Sequence, residues 1–355
     1  MKKVLLLTSV AVMLLAFAGC NSTTPSAATT VPTAAATAQP TAVPITWPTG
    51  KTINFDVPAK AGGGTDMITR FITNSWDNYL DASIVVTNYE TNEVGMQHTA
   101  NADPDGMTLI TSACTVMDNY LSGVSQVNPV EDLTVIAKIT DGGPQAFFVQ
   151  SDAPYNNFAE LAAYIKGNPG DFIAGVSLGG TSHLMWLRLL TALDVDPSLV
   201  TFVQCSSESD KLTSVASGSL NGGQGSMNNC ISYEEAGKLK VIGCISPSGM
   251  GKEGIGKLIG KTLPDNYKTA QDQGFGEASW DAGYYVVGPA GMSDELCEII
   301  NNSLMEIASD EAFVKGMRGM GMLPHVANLA DSRADYAVEW DTQVELITLA
   351  GTNAR

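Results

Sequence analysis

From Lys51 onward the chain alternates short β-branched and aromatic runs with longer amphipathic stretches. The apolar runs predict strands over 53–57, 84–88, 108–112, 133–139, 146–149, 172–176, 200–204, 240–245 and 283–287. Apolar positions recurring every three to four residues predict helices over 66–80, 158–166, 182–192, 207–217, 294–307, 311–317 and 333–350. Asp310 and Ser332 stand where the N-caps of the last two helices belong. Alternation of this kind predicts α/β architecture with mostly parallel sheets, and the length predicts two such domains. No internal repeat is present, which argues against a solenoid or propeller.

The first fifty residues follow a different pattern. Lys2 and Lys3 precede an apolar run from Val4 to Phe17, and Ala18-Gly19-Cys20 follows. A basic start, a short apolar core and small residues before a cleavage point predict a secretory signal peptide over 1–19. The core falls short of the ~20 apolar residues a spanning helix needs. Cys20 directly after Ala18-Gly19 resembles a bacterial lipobox, with Phe17 where leucine is commoner; the alternative is an ordinary signal peptide with a chance cysteine. The lipobox implies a lipid on Cys20, which then becomes the N-terminus. The segment that follows is rich in Thr, Ala and Pro and has no charged residue through position 50, so it predicts an extended stalk over 20–48. No later stretch is apolar enough to span a bilayer. The expected location is therefore extracytoplasmic, lipid-anchored to the bacterial cell membrane.

Charge narrows the function classes. Nineteen Lys and Arg against 37 Asp and Glu give a formal charge of -18, which argues against a nucleic-acid or anionic-membrane coat. A helix N-terminus binds small anions even in an acidic protein. Six cysteines without a C-x-x-C pair, and three histidines, give no structural-zinc spacing; no metal and no cofactor are expected. Cys114, Cys205, Cys230, Cys244 and Cys297 remain beside Cys20, an odd number, and a bridge among Cys205, Cys230 and Cys244 stays open.

Two glycine-rich turns carry the candidate chemistry. Gly62-Gly63-Gly64-Thr65-Asp66 follows a predicted strand and opens a predicted helix. Glycines let the backbone approach a ligand closely, and the helix start offers N–H groups suited to a carboxylate or phosphate. The dinucleotide spacing fails because Met67 occupies the third glycine position. The plainer alternative is a tight turn capped by Asp66. Gly179-Gly180-Thr181-Ser182-His183 repeats the arrangement, with His183 expected as a first-turn hydrogen-bonder. Gly175-Val176-Ser177-Leu178-Gly179 also matches the nucleophile elbow of serine hydrolases, with His325 as the downstream partner. Lys257 to Thr262 misses a P-loop because Ile255 replaces the required glycine.

Taken in order, Val57-Pro58 with Ala61-Gly62-Gly63-Gly64-Thr65-Asp66, Asp103-Pro104-Asp105-Gly106-Met107-Thr108-Leu109, Thr181-Ser182-His183-Leu184, Ala236-Gly237-Lys238-Leu239-Lys240 and Gly288-Pro289-Ala290-Gly291 resemble the signature of Bug-type solute receptors of tripartite tricarboxylate transporters. The resemblance covers about residues 50 to 345. It implies a two-domain Venus-flytrap fold, with 49–150 plus 273–355 as one domain and 151–272 as the other. It further implies an interdomain site at Ala59, Lys60, Ala61, Gly62, Gly63, Gly64, Thr65, Asp66, Ser112, Gly180, Thr181, Ser182, His183 and Ser226. Some positions depart from the family pattern: Ala59-Lys60 replaces an aromatic and a small residue, Cys205 a tyrosine, Asn221 an aspartate, and Gly225-Ser226 an Asp-Asn pair. If Lys60 faces the cleft mouth, it favours di- or tricarboxylates. The expected protein is a monomeric, non-enzymatic receptor that delivers a small carboxylate to a tripartite permease. A secreted serine esterase using Ser177 and a receptor for another transporter class are the alternatives.

Overall fold

The computed structural model describes residues 46–351 apart from positions 49, 206, 248, 249, 265, 266 and 281. The leader, Cys20 and nearly all of the stalk lie outside the described residues. The order of elements begins β1 Lys51–Val57, α1 Gly64–Trp76, β2 Ala82–Asn88, α2 Asn92–Ala100, β3 Thr108–Ala113, α3 Cys114–Leu121 and β4 Leu133–Asp141. It continues through β5 Gln145–Gln150, α4 Phe158–Gly167, β6 Phe172–Val176, α5 Thr181–Ala192, β7 Val200–Gln204, α6 Glu208–Ala216, β8 Gly222–Ser226, α7 Met227–Glu235, β9 Leu239–Ile245 and α8 Lys252–Ile259. It closes with β10 Gly283–Pro289, α9 Asp294–Met305, α10 Glu311–Gly319, β11 Leu323–Pro324 and α11 Leu329–Leu349.

Two sheets form, ordered β11-β4-β10-β3-β1-β2 and β7-β6-β8-β5-β9. They are mixed, not mostly parallel. β1 runs parallel to β2 and β3, and β6 parallel to β7 and β8, while β10 opposes β3 and β4, and β5 opposes β8 and β9. The cause is the crossing between sheets. β4 leaves the first sheet as β10 returns to it, and β5 enters the second as β9 leaves, so each pair lies antiparallel. At the first crossing a side-chain carbon on Gly142 would stand 2.6 Å from the Ala282 carbonyl oxygen, a spacing only glycine tolerates.

The first sheet buries Ile53, Phe55 and Leu109 against Ile68, Ile72 and Trp76 of α1 and Ile300 of α9. The second buries Phe147, Phe158, Phe172 and Trp186, with Phe147 edge-on to Trp186 at 4.8 Å between ring centres. β8 has no β-branched residue at all, and it forms because its neighbours fill it: the Phe172 and Phe148 rings occupy the space that side chains at Gly222 and Gly223 would need. The five described cysteines are buried and unbridged, so Cys205, Cys230 and Cys244 form no disulfide. Gly260 ends α8 in the left-handed conformation, which makes the P-loop-like run a helix terminus.

Helix α11 straps the two sheets together. Leu329 packs in the first core, Tyr336 stands edge-on to Tyr285 at 4.9 Å, and Leu346 and Ile347 lie in the core of the second sheet. The helix begins one turn earlier than expected, at an Asn328 cap whose side chain accepts from the Asp331 N–H. Ser332 is not the cap. Its buried hydroxyl accepts from the Lys138 N–H at 2.8 Å and donates to the Asn328 carbonyl at 2.7 Å. Midway along the helix, Glu339 accepts from the Gly283 N–H at 3.2 Å and the Tyr285 hydroxyl at 2.9 Å, both on Oε2. Burial dominates these donors and pushes its carboxyl up to about 7.

The folded protein therefore holds the Glu339 proton more tightly than the unfolded chain, whose carboxyl titrates at its ordinary 4.5. The resulting stabilisation is complete below pH 4.5 and is lost as pH rises through about 7. Glu339→Gln removes this titration. At pH 8 it should be more stable than the parent by about 1–3 kcal/mol, since each tenfold change in proton affinity carries about 1.4 kcal/mol. The gain should shrink toward zero at pH 4.5. Urea unfolding of both proteins across this range is the check, and a pH-independent difference counts against the assignment.

Candidate ligand-binding cleft

Parallel pairing sets the carboxyl ends of β1, β2 and β3 along one edge of the first sheet, and those of β6, β7 and β8 along one edge of the second. Such edges are where α/β sheets bind ligands. At these edges the chain turns into α1, α3, α5 and α7, whose N-caps are Gly63, Ala113, Gly180 and Ser226. None of the four caps places a side chain on its own helix N–H groups. The remaining helices follow the opposite habit, among them α2 and α6, which start at the same two edges after the outermost strands β2 and β7. Thr91, Asn157, Ser207, Ser293, Asp310 and Asn328 cap α2, α4, α6, α9, α10 and α11 through side-chain oxygens. Asp272 reaches from outside to the Lys252 N–H of α8 at 3.0 Å. Side-chain caps are thus missing from the helices that follow the inner strands β1, β3, β6 and β8, where uncapped N–H groups suit an anion.

The four helix starts are brought together. Thr181 Oγ1 of α5 lies 3.8 Å from Cys114 Sγ of α3. Tyr284, paired with Ala113 across the sheet, hydrogen-bonds Thr65 in the first turn of α1. Met320 borders Gly64 and, with Ser226 and Met227, lines a 40 Å³ cavity between the two sheets. Asp118 is buried on α3 next to Thr181, and burial together with Glu339 holds its carboxyl well above the usual range.

Within the first loop, Asp66 faces inward. It accepts from the Gly62 N–H at 2.8 Å, Asn88 Nδ2 at 2.8 Å and Arg70 Nε at 3.1 Å, and Asn88 also donates to the Ala59 carbonyl at 3.0 Å. Burial alone would raise its pKa, but these donors outweigh it and the carboxyl titrates below its ordinary value. Gly62 takes φ +83, open only to glycine at low cost. Ala61, Gly62 and Gly64 are exposed at the lip. Lys60 is 71% exposed and pairs with Glu90 at 2.9 Å, so its charge is matched on the protein's own surface. That pairing leaves the expected contact with a second acid group without support.

The second loop is braced in the same way. The Ser182 hydroxyl accepts from the Ser177 N–H at 2.8 Å, and His183 Nδ1 accepts from the Gly179 N–H at 3.2 Å. His183 lies edge-on to Phe202 at 4.6 Å, and burial pushes its pKa down, so it is a neutral brace as expected from its first-turn position. Thr181 faces the other domain, and Ser112 is buried beside Tyr336. Ser226 donates its N–H and hydroxyl to Glu208 Oε1 at 3.0 and 2.8 Å.

Residues 68–339 match the family model described as tripartite tricarboxylate transporter family receptor. The chain belongs to that family. A UPF0065 protein of Bordetella pertussis is 31% identical over 140 residues, which are 38% of this chain and 42% of that protein, so the chain aligns with less than half of this relative. A TctC solute binding protein from Polaromonas superposes at a TM-score of 0.70 with 21% identity, covering 85% of this chain and 99% of its own. R. palustris Rpa4515 with adipate superposes at 0.64 with 21% identity, covering 86% and 99%. MatC from Rhodopseudomonas palustris with bound malate superposes at 0.60 with 19% identity, covering 85% and 99%. These likenesses establish the fold as the two-domain Venus flytrap of type II periplasmic binding proteins.

A tripartite tricarboxylate transporter receptor binds a solute and breaks no bond, which removes the esterase alternative. The geometry agrees, since the histidine beside Ser177 is His183, engaged by Gly179. His325 pairs instead with Asp141 at 3.3 Å, bordering a separate cavity of about 540 Å³ with Lys138 and Glu339. Reading the residues in order missed Cys114, Asp118, Tyr284 and Glu208 as neighbours of the receptor's crevice. Cys114 and Asp118 lie on a helix whose alanine cap gives no polar start signal. Tyr284 and Glu208 arrive through pairings far apart in sequence.

Asp66→Ala should release the triple-glycine turn and leave Arg70 and Asn88 without their acceptor. We expect a loss of about 2–4 kcal/mol in urea unfolding, in the range for breaking a buried, charge-assisted cluster. Asp66→Asn should lose less. An Asp66→Ala receptor as stable as the parent would show that the turn holds its shape without this carboxylate.

Proposed function

We propose that this receptor captures a small carboxylate in the crevice between its domains and delivers it to a membrane permease of the tripartite type. The observation that carries the reading is the set of four helix starts without side-chain caps at the two facing sheet edges. Backbone N–H groups and helix dipoles bind an anion without full positive charges, which suits a chain of formal charge -18. The adipate and malate held by two structural relatives support the same ligand class. With Lys60 paired to Glu90, the proposal covers carboxylates as a class and not a preference for di- or tricarboxylates. Residues 49–150 with 273–355 would close on 151–272 by hinge motion about the two crossings. A lipid on Cys20 and the stalk would hold the monomeric receptor on the outer face of the membrane, within reach of its permease.

A ligand that binds only the native state stabilises it by about 2.7 kcal/mol at a hundredfold excess over its Kd. In a thermal-shift screen, at least one small carboxylate should raise the Tm by several degrees, while neutral sugars and cationic amino acids leave it unchanged. A sugar giving the sole large shift would overturn the reading. Cys20→Ser should separate anchor from fold: the variant should leave the washed membrane fraction, as secreted protein or as unprocessed precursor. Full retention of mature protein would exclude a lipid on Cys20.

A further inference from the structure

The cavity of about 540 Å³ beside the crossings between the sheets is lined by none of the four uncapped helix starts. Its volume falls in the range of ordinary small-molecule sites. Helix α11 supplies one wall, where Asp335, Val338, Glu339, Thr342 and Gln343 recur at helical spacing and share one face. Lys138 and Asp141 of β4, Arg188 of α5, and Met250, Glu277 and Trp280 between β9 and β10 supply the others.

Two properties of these walls point to a ligand. The first is unmet hydrogen bonding. Gln343 is wholly buried, yet neither its amide nitrogen nor its amide oxygen has a partner among the described residues. Glu339 commits Oε2 to Gly283 and Tyr285 and leaves Oε1 buried without a partner. Native interiors rarely leave such atoms unpaired. The second property is charge. Asp141, Glu277, Asp335 and Glu339 outnumber Lys138 and Arg188, with His325 beside Asp141. The Lys138 ammonium is shared by Asp141 at 2.5 Å and Asp335 at 2.8 Å, and Arg188 Nε donates to the Ser279 carbonyl at 2.7 Å. Lys138 also lowers the Glu339 carboxyl, but one ammonium among three carboxylates leaves an excess of negative charge.

We infer that this cavity is a second binding site, for a small organic cation: a primary amine or guanidinium with an apolar body. Its N–H groups donate to Glu339 Oε1 and Gln343 Oε1, its charge offsets the surplus carboxylates, and its carbon chain lies against Met250, Trp280 and Val338. A metal ion fits less well, since no cluster of three acidic, histidine or cysteine side chains among the described residues is placed to hold one. A cationic amino acid is disfavoured, because its own carboxylate meets the same acidic walls. The inference is independent of the carboxylate reading above.

The test is isothermal titration of the purified protein with butylamine, butylguanidine and 1-butanol at pH 8, above the value of about 7 at which Glu339 titrates. We expect at least one of the two cations to bind a single site at least tenfold more tightly than the alcohol, and its affinity to fall as salt rises. Glu339→Gln should weaken that cation at least tenfold. Val338 is 66% exposed, so Val338→Arg leaves the core intact and sets a fixed guanidinium at the cavity's edge. It should also weaken the cation at least tenfold, while any thermal shift given by a carboxylate stays as in the parent. A cation that binds no better than the alcohol, an affinity indifferent to salt, or one that survives both substitutions overturns the inference. The alcohol comparison and the salt series need only the parent, so a misfolded variant does not shield it. Cation binding without a response to any carboxylate overturns the carboxylate reading alone.

Discussion

The first turn of every α-helix carries N–H groups that its own backbone cannot pair. Six helices of this protein settle them with a serine, threonine, asparagine or aspartate at the cap, and α8 borrows Asp272. After the inner strands β1, β3, β6 and β8 the chain supplies glycine, alanine and an otherwise engaged serine instead. The polar side chains nearby are then spent on shape. Asp66 holds one loop and Ser182 and His183 hold the other, so the turns are rigid before any ligand arrives. Rigidity of this kind lowers the entropic cost of binding, because loops ordered beforehand lose little on complex formation.

Much of the fold was legible in the sequence, and the exceptions have physical causes. Strands rich in Val, Ile and Phe stood where expected, and Asp310 caps α10 as its type and place indicated. β8 was invisible because Gly-Gly-Gln-Gly-Ser has no strand preference of its own; Phe148, Phe172 and Glu208, distant in sequence, make it a strand. The short helices α2, α3, α7 and α8 carry too few apolar turns to stand out. The mixed direction of the sheets follows from crossings between domains, which local periodicity does not encode.

The candidate site was legible as loops and not as contacts. Glycine spacing located both turns, and the order of short motifs indicated the family. Which side chains face the ligand depends on partners that spacing does not reveal. Glu90 takes Lys60, Asn88 and Arg70 take Asp66, and Glu208 takes Ser226. Residue type alone marked these as candidate ligand contacts, and in the structure each also has a partner within the protein.

The strap helix α11 bears on how the molecule comes apart. Its first residues belong to one hydrophobic core and its last turns to the other, where Leu346 and Ile347 are wholly or almost wholly buried. Melting either core exposes one end of the helix, and the helix then draws apolar surface out of the second core as well. The two sheets with their helices are therefore not two independent folding units. Slow amide exchange in both cores should share one opening free energy, as residues of a single cooperative unit do. Two hydrophobic cores share this one helix, and α11 keeps the molecule thermodynamically whole.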